Sequence, residues 1–145
     1  MLVRPIRPDD RAAWEPLWQG YQTFYKVSLP AEVTDETWRR LHDPTEPVHG
    51  LVAELDGRVV GLAHFVFHKM TWTIADRCYL NDLFADESAR GRGVGRALTE
   101  AVYAAAKARG VTTVWWLTHE TNEAARALYD RIARRSGFIQ YRHDS

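Results

Sequence analysis

The spacing of apolar residues changes several times along the chain, and each change marks an element. Leu2 to Ile6 reads as a short strand. Asp9-Asp10 offers helix N-caps ahead of Trp14, Leu17, Trp18, Tyr21 and Tyr25, which recur at the period of an amphipathic helix. Ser28-Leu29-Pro30 breaks that helix. Thr34 or Asp35 is expected to cap a short second one carrying Trp38 and Leu41, closed by Asp43-Pro44 and Glu46-Pro47. Leu51 to Leu55 and Arg58 to His68 are apolar, β-branched and aromatic runs joined by Asp56-Gly57, a dipeptide that accepts the left-handed backbone of a tight hairpin, and they predict an antiparallel pair. Cys78 to Ala85 predicts a third strand, after which the chain enters a glycine-rich turn.

From Gly95 to Arg109 the residues Ala97, Leu98, Ala101, Val102 and Ala105 line one helical face, and Gly110 suits the left-handed position beyond the helix end. Val111 to Leu117 predicts a buried strand. A last helix starts near Asn122 and carries Ala125, Leu128, Tyr129 and Ile132, and Phe138 to Tyr141 is expected to add a final strand. The order β-α-α-β-β-β-α-β-α-β describes a mixed α/β sheet whose later part is a strand-helix-strand crossover of right hand.

Composition narrows the choice of function. With 145 residues, one domain spanning residues 1–145 is expected, and 46 % hydrophobic content supplies a core without disulfides or a structural metal. The 19 basic and 19 acidic side chains cancel, which gives no broad field for nucleic acid. No apolar run approaches the roughly 18 residues of a membrane span. Cys78 is the only cysteine, so an internal disulfide is excluded and a reducing cytoplasm is the expected location. The six histidines show no metal-ligand spacing, so no metal is expected, and no nucleophilic serine or cysteine signature points to an acyl-enzyme.

The most informative stretch is Arg90-Gly91-Arg92-Gly93-Val94-Gly95-Arg96, between a predicted strand and the first turn of a helix. A helix N-terminus presents unpaired N–H groups and the positive end of its dipole, glycines let backbone approach an anion, and three arginines add charge. The same residues would also serve a plain strand-to-helix corner with solvated arginines. A diphosphate cradle is the stronger reading. The stretch lacks the G-x-x-x-x-G-K-[ST] of a nucleotide-hydrolysing loop, and Arg96 stands where a dinucleotide fingerprint needs its third glycine.

Arg-x-x-Gly-x-Gly after Leu83-Phe84-Ala85 resembles the coenzyme A signature of the GCN5-related N-acetyltransferase (GNAT) superfamily. Downstream, Asn122-x-x-Ala125-x-x-Leu128-Tyr129 is similar to the family's helix of coenzyme contacts and a tyrosine acid. Upstream, Tyr79-Leu80-Asn81-Asp82-Leu83-Phe84 resembles the branch that acetylates small amines, including diamines. The resemblance implies a single-domain fold with a mixed, mostly antiparallel central sheet, helices on both faces and a splayed parallel strand pair, and it implies acetyl-CoA as cosubstrate. It places Arg90 to Arg96 at the diphosphate, Leu83, Phe84 and Ala85 along the pantetheine, and Asn122 and Ala125 beside it. It points the Tyr129 phenol at the thioester sulfur as general acid, where the plainer reading is a core aromatic beside Leu128.

An alkyl amine, with a pKa near ~10.4, arrives protonated, so a proton acceptor is needed. Asp82 is the leading candidate, directly, through water, or by holding the ammonium group; a structural carboxylate is the alternative. Asn81 stands where polyamine-using members carry a second acid. Tyr25 and Trp72, with His119 and Glu120, are further candidates to shape the acceptor cleft, although each residue type more often packs or lies in solvent. The expected reaction is acetyl transfer to a primary amine by direct attack in a ternary complex, with a small or polyamine-like acceptor. The alternatives are a protein lysine or N-terminus as acceptor, and a coenzyme-binding module without turnover. Gly137-Phe138 follows Tyr129 at a wider interval than in the family. A lone edge strand there would be a liability unless a second subunit covers it, so a homodimer is expected.

Overall fold

The computed structural model describes residues 1–145 and contains five strands and four α-helices: β1 (Leu2–Pro5), α1 (Arg11–Phe24), α2 (Ala31–Leu41), β2 (Val48–Leu55), β3 (Arg58–His68), β4 (Arg77–Ala85), α3 (Val94–Ala108), β5 (Val114–Trp115) and α4 (Glu123–Ile132). The strands lie in the order β1-β2-β3-β4-β5, antiparallel except for the parallel pair β4-β5. The α3 helix packs on one face of the sheet, and α1 and α2 pack on the other. The main core, with Val60, Ala63, Phe65, Cys78 and Leu80 of the strands and Leu98 and Val102 of α3, fills the first face. A smaller cluster of Trp14, Leu17, Trp18 and Leu62 fills the second.

The hairpin forms as expected, because Asp56 and Gly57 both adopt positive φ, 52° and 76°, and join Leu55 to Arg58 in a two-residue turn whose twist matches the strands. Gly20 lets α1 approach the sheet closely: a Cβ there would lie 2.8 Å from the Phe84 ring. That approach sets the C-terminal turn of α1 over β4.

Four expectations are corrected. Asp9 and Asp10 fall in a short 3-10 turn, Pro8–Asp10, and make no side-chain cap to α1. Asp10 instead accepts the Arg7 backbone N–H (2.7 Å) and both terminal nitrogens of Arg4 (2.8 and 2.9 Å), which buries an ion pair between β1 and α1. The α2 helix begins at Ala31, not at Thr34 or Asp35, because Pro30 sits extended at the N-cap and its carbonyl accepts from Val33 and Thr34. The strand expected over Val111 to Leu117 pairs only at Val114 and Trp115, since the chain then diverges from β4 and loses its ladder partner. The strand expected at Phe138 to Tyr141 does not form. Residues 133–145 hold neither helix nor strand, and Phe138, Ile139 and Tyr141 are exposed. Strand-forming residue types without a neighbouring edge have nothing to exchange hydrogen bonds with.

Candidate active site

The parallel pairing of β4 and β5 stops at Tyr79 and Trp115, so from Leu80 to Ala85 the β4 edge facing β5 has no partner. This is the splayed pair that the resemblance implies. One end of the opening reaches the turn into α3. Gly91 and Gly93 adopt positive φ, 74° and 78°, with nothing within 4 Å of an added Cβ, so the backbone conformation alone calls for glycine. The N–H groups of Gly91, Gly93, Val94, Gly95 and Arg96 have no backbone acceptor, and no side chain caps α3. Arg90, Arg92 and Arg96 are exposed around them; Arg90 lies 3.8 Å from Glu87 and Arg96 2.9 Å from Glu100. Unpaired donors with guanidinium groups beside them fit a diphosphate.

The cradle and the tyrosine helix meet. A Cβ on Gly95 would lie 3.7 Å from the Leu128 side chain, so α4 abuts the start of α3 and carries Tyr129 to the mouth of the opening. Tyr129 packs edge-on against Trp116, with ring centroids 5.3 Å apart. Burial, with a smaller contribution from Tyr25, pushes its phenol up to about 12, so it keeps its proton at neutral pH. Asn122 occupies the N-cap of α4, but its side-chain N–H donates to the Thr118 hydroxyl at 3.3 Å. Ala125 lies on the same helix, half-buried.

Tyr129 opens into a cavity of about 300 Å³, lined by Tyr21 of α1 and Tyr25 at its C-cap, Tyr79 to Asn81 and Leu83 of β4, Trp116 to His119 after β5, and Gln140 and Arg142 of the tail. Four predicted positions, Tyr25, Asn81, Leu83 and His119, therefore meet Tyr129 there. Trp72 does not. It stands 76 % exposed in the β3-β4 loop, away from the cavity lining. Glu120 is also outside the lining, and its carbonyl accepts from Arg126.

Asp82 lines a neighbouring cavity of about 220 Å³, with Trp18, Arg40, His64 and Asn81 among its walls, so Asn81 is common to both. A β-bulge places it there. His64 pairs with Asp82 and Phe65 with Leu80, which leaves Asn81 as the extra residue. Before the bulge, Cys78 and Leu80 point into the core beneath α3. After it, Leu83 and Ala85 take that side while Phe84 packs with the α1 cluster and Asp82 meets His64. The Asp82 carboxylate accepts from His64 Nδ1 at 2.9 Å and from Asn81 Nδ2 at 3.2 Å. Its charge reaches the first cavity. Burial and then Asp82 raise the phenols of Tyr21, Tyr25 and Tyr79, with adjacent phenols adding smaller effects at Tyr21 and Tyr25. All three stay neutral donors beside a carboxylate, an environment that attracts a cation.

The sequence reading missed Tyr21, Tyr79, His64, Trp116, Gln140 and Arg142 as site residues. Tyr21 lies four residues before Tyr25 on one helical face, and Tyr79 opens the stretch that contains Asp82, so both carried a local signal. His64 becomes visible only through the β3-β4 register, and the two tail residues carried none.

A splayed parallel pair has a bare helix N-terminus at one end and a tyrosine-lined cavity at the other, an arrangement suited to an elongated anionic molecule. The model of the acetyltransferase (GNAT) family matches residues 14–133, and the chain belongs to that family. It is 37 % identical to the D-amino-acid N-acetyltransferase HPA3 of Saccharomyces cerevisiae, over 99 % of this chain and 91 % of that protein. It is 26 % identical to the thialysine N-epsilon-acetyltransferase of Caenorhabditis elegans, over 96 % and 89 %. The fold is shared with the crystal structure of a ribosomal-protein-alanine N-acetyltransferase from Brucella melitensis biovar Abortus 2308, at TM-score 0.81, 21 % identity and full coverage of both chains.

Proposed function

We propose that this acetyltransferase moves the acetyl group of acetyl-CoA to the primary amine of a small acceptor by direct attack in a ternary complex, and that the acceptor is an amino acid. The continuity of one path carries the reading: five unpaired amides at Gly91 to Arg96, the open β4 edge from Leu80 to Ala85, and the Tyr129 cavity. When bound, the thioester supplies an activated acyl carbon. The α3 N-terminus and its arginines hold the carrier's phosphates, and the free backbone of Leu83 to Ala85 aligns its arm as an added strand would be aligned. Asn122 and Ala125 bound the arm on the α4 side. Tyr129 donates a hydrogen bond to the departing sulfur, and Asp82, among the phenols of Tyr21, Tyr25 and Tyr79, holds the incoming ammonium group and receives the proton that it must shed.

The choice of acceptor rests on charge. Arg142 is the cavity's only Lys or Arg, and no carboxylate lines the cavity directly. A polycation gains little from such walls. A zwitterion fits both sides, its ammonium toward Asp82 and its carboxylate toward Arg142, whose exposed guanidinium lies 3.0 Å from Asp144 and would exchange that partner for the substrate. Relatives that act on D-amino acids and thialysine agree with this class. A cavity that holds an arginine and no carboxylate is also a poor groove for a protein lysine.

Release of free thiol from acetyl-CoA with a panel of amino acids, simple amines, polyamines and lysine peptides tests the reading. Amino-acid-dependent release supports it. Release independent of any amine, or coenzyme binding without release, defeats it. We also propose a homodimer, supported by the exposed Phe138, Ile139 and Tyr141 of the tail. A monomer mass by light scattering at micromolar concentration refutes that assignment.

A further inference from the structure

We propose that Trp14 and His64 are positioning residues that hold Asp82 in its reactive orientation; the proposal rests on Asp82 as the proton acceptor named above. Trp14 is fully buried and His64 is 2 % exposed. The Trp14 indole Nε1–H lies 2.9 Å from His64 Nε2, and an indole can only donate. His64 Nε2 is therefore the acceptor and carries no proton. The neutral ring bears its proton on Nδ1, which lies 2.9 Å from Asp82 Oδ2. The opposite tautomer would set a nitrogen lone pair against the carboxylate. Asn81 Nδ2 approaches the second oxygen, Oδ1, at 3.2 Å, so both oxygens have a donor and the carboxylate plane is fixed.

The ring has little freedom to turn. Its centroid lies 5.9 Å from that of Trp14 and 5.1 Å from that of Trp18, the latter edge-on. The chain thus runs from α1 through β3 to the residue beside the β4 bulge, and it ties the orientation of Asp82 to the helix that carries Tyr21 and ends at Tyr25. It cannot carry a proton away, because the indole at its far end accepts none. A proton taken by Asp82 leaves on the side of Asn81, which is exposed. Trp14 and His64 therefore act as a brace and not as a wire.

Two substitutions at one position separate a brace from a filler. His64→Asn keeps an amide N–H near the place of Nδ1 and so keeps the bond to Asp82. His64→Gln reaches the place of Nε2, keeps the bond to Trp14 and loses Asp82. The proposal expects kcat/KM for the amine to fall about tenfold in His64→Gln and in His64→Leu, with His64→Asn recovering to within about threefold of wild type and KM for acetyl-CoA unchanged. Gln performing as well as or better than Asn, as bulk alone would dictate, overturns it.

Long-range 1H–15N correlation on the wild-type protein needs no variant to fold. With His64 assigned by its disappearance in His64→Asn, the expected pattern is a protonated Nδ1 and a bare Nε2. A protonated Nε2 overturns the proposal. Asp82→Asn separates the two levels of argument: a wild-type rate in that variant removes Asp82 as proton acceptor. A slow Asp82→Asn beside a fully active His64→Gln removes the brace alone.

Discussion

Replacing Tyr129 with phenylalanine removes one oxygen and leaves the ring against Trp116, so the variant isolates the phenol. The structure also sets the size of the loss. Burial pushes the phenol up to about 12, whereas an alkyl thiol titrates near ~8.5, so complete proton transfer to a released thiolate runs about 5 kcal/mol uphill. On the proposed mechanism Tyr129 would therefore act chiefly as a donor to charge building on sulfur, a bond worth about 1.5–3 kcal/mol. That sets the expected fall in kcat near 10²-fold, the low end for a positioned general acid. The assay is thiol release with a colorimetric reagent, with both substrates varied. KM for acetyl-CoA should stay within about threefold, because the proposed phosphate site lies at the far end of the path. A kcat within about twofold of wild type refutes the reasoning. So does an alkaline limb near pH 9 that vanishes in the variant, since a phenol lifted to about 12 cannot titrate there.

Three further outcomes are expected. Gly93→Ala meets no atom within 4 Å but puts an alanine at φ 78°, so the free turn is expected to relax out of that conformation, and restoring about 1 kcal/mol of backbone strain on binding should weaken coenzyme A about fivefold by calorimetry while the secondary structure stays intact by circular dichroism. Arg142→Ala should raise KM about tenfold for an amino acid and leave KM unchanged for the matching amine without a carboxylate, which parallel kinetics on the two acceptors will check. Asp10 is held below the usual carboxyl range, first by its hydrogen bonds to Arg4, so its stabilisation is complete above about pH 4 and is lost as pH falls through its lower folded value. Asp10→Ala leaves a buried Arg4 with Glu54 as its one remaining carboxylate partner and should cost about 3 kcal/mol by urea melts, with a shallower loss of Tm on acidification than wild type.

Much of this protein is written in short-range pattern. Asp56-Gly57 fixed its hairpin, the Arg90 to Arg96 stretch marked the start of α3, and the spacing of Asn122, Ala125, Leu128 and Tyr129 placed the tyrosine on its helix, because each depends on backbone conformation or on neighbours within a few residues. Asp82 shows where such pattern stops. Cys78, Leu80, Asp82 and Phe84 alternate as though they shared one face, and plain alternation would put the carboxylate in the core beneath α3. The unpaired Asn81 reverses that parity and delivers Asp82 to the α1 side, where Trp14 and His64, fifty residues apart in sequence, brace it. Arg142 reaches the cavity from a tail without regular structure. Strand register and the path of an unpaired tail are set by partners distant in the chain, and in a strand a shift of one residue exchanges the two faces of the sheet.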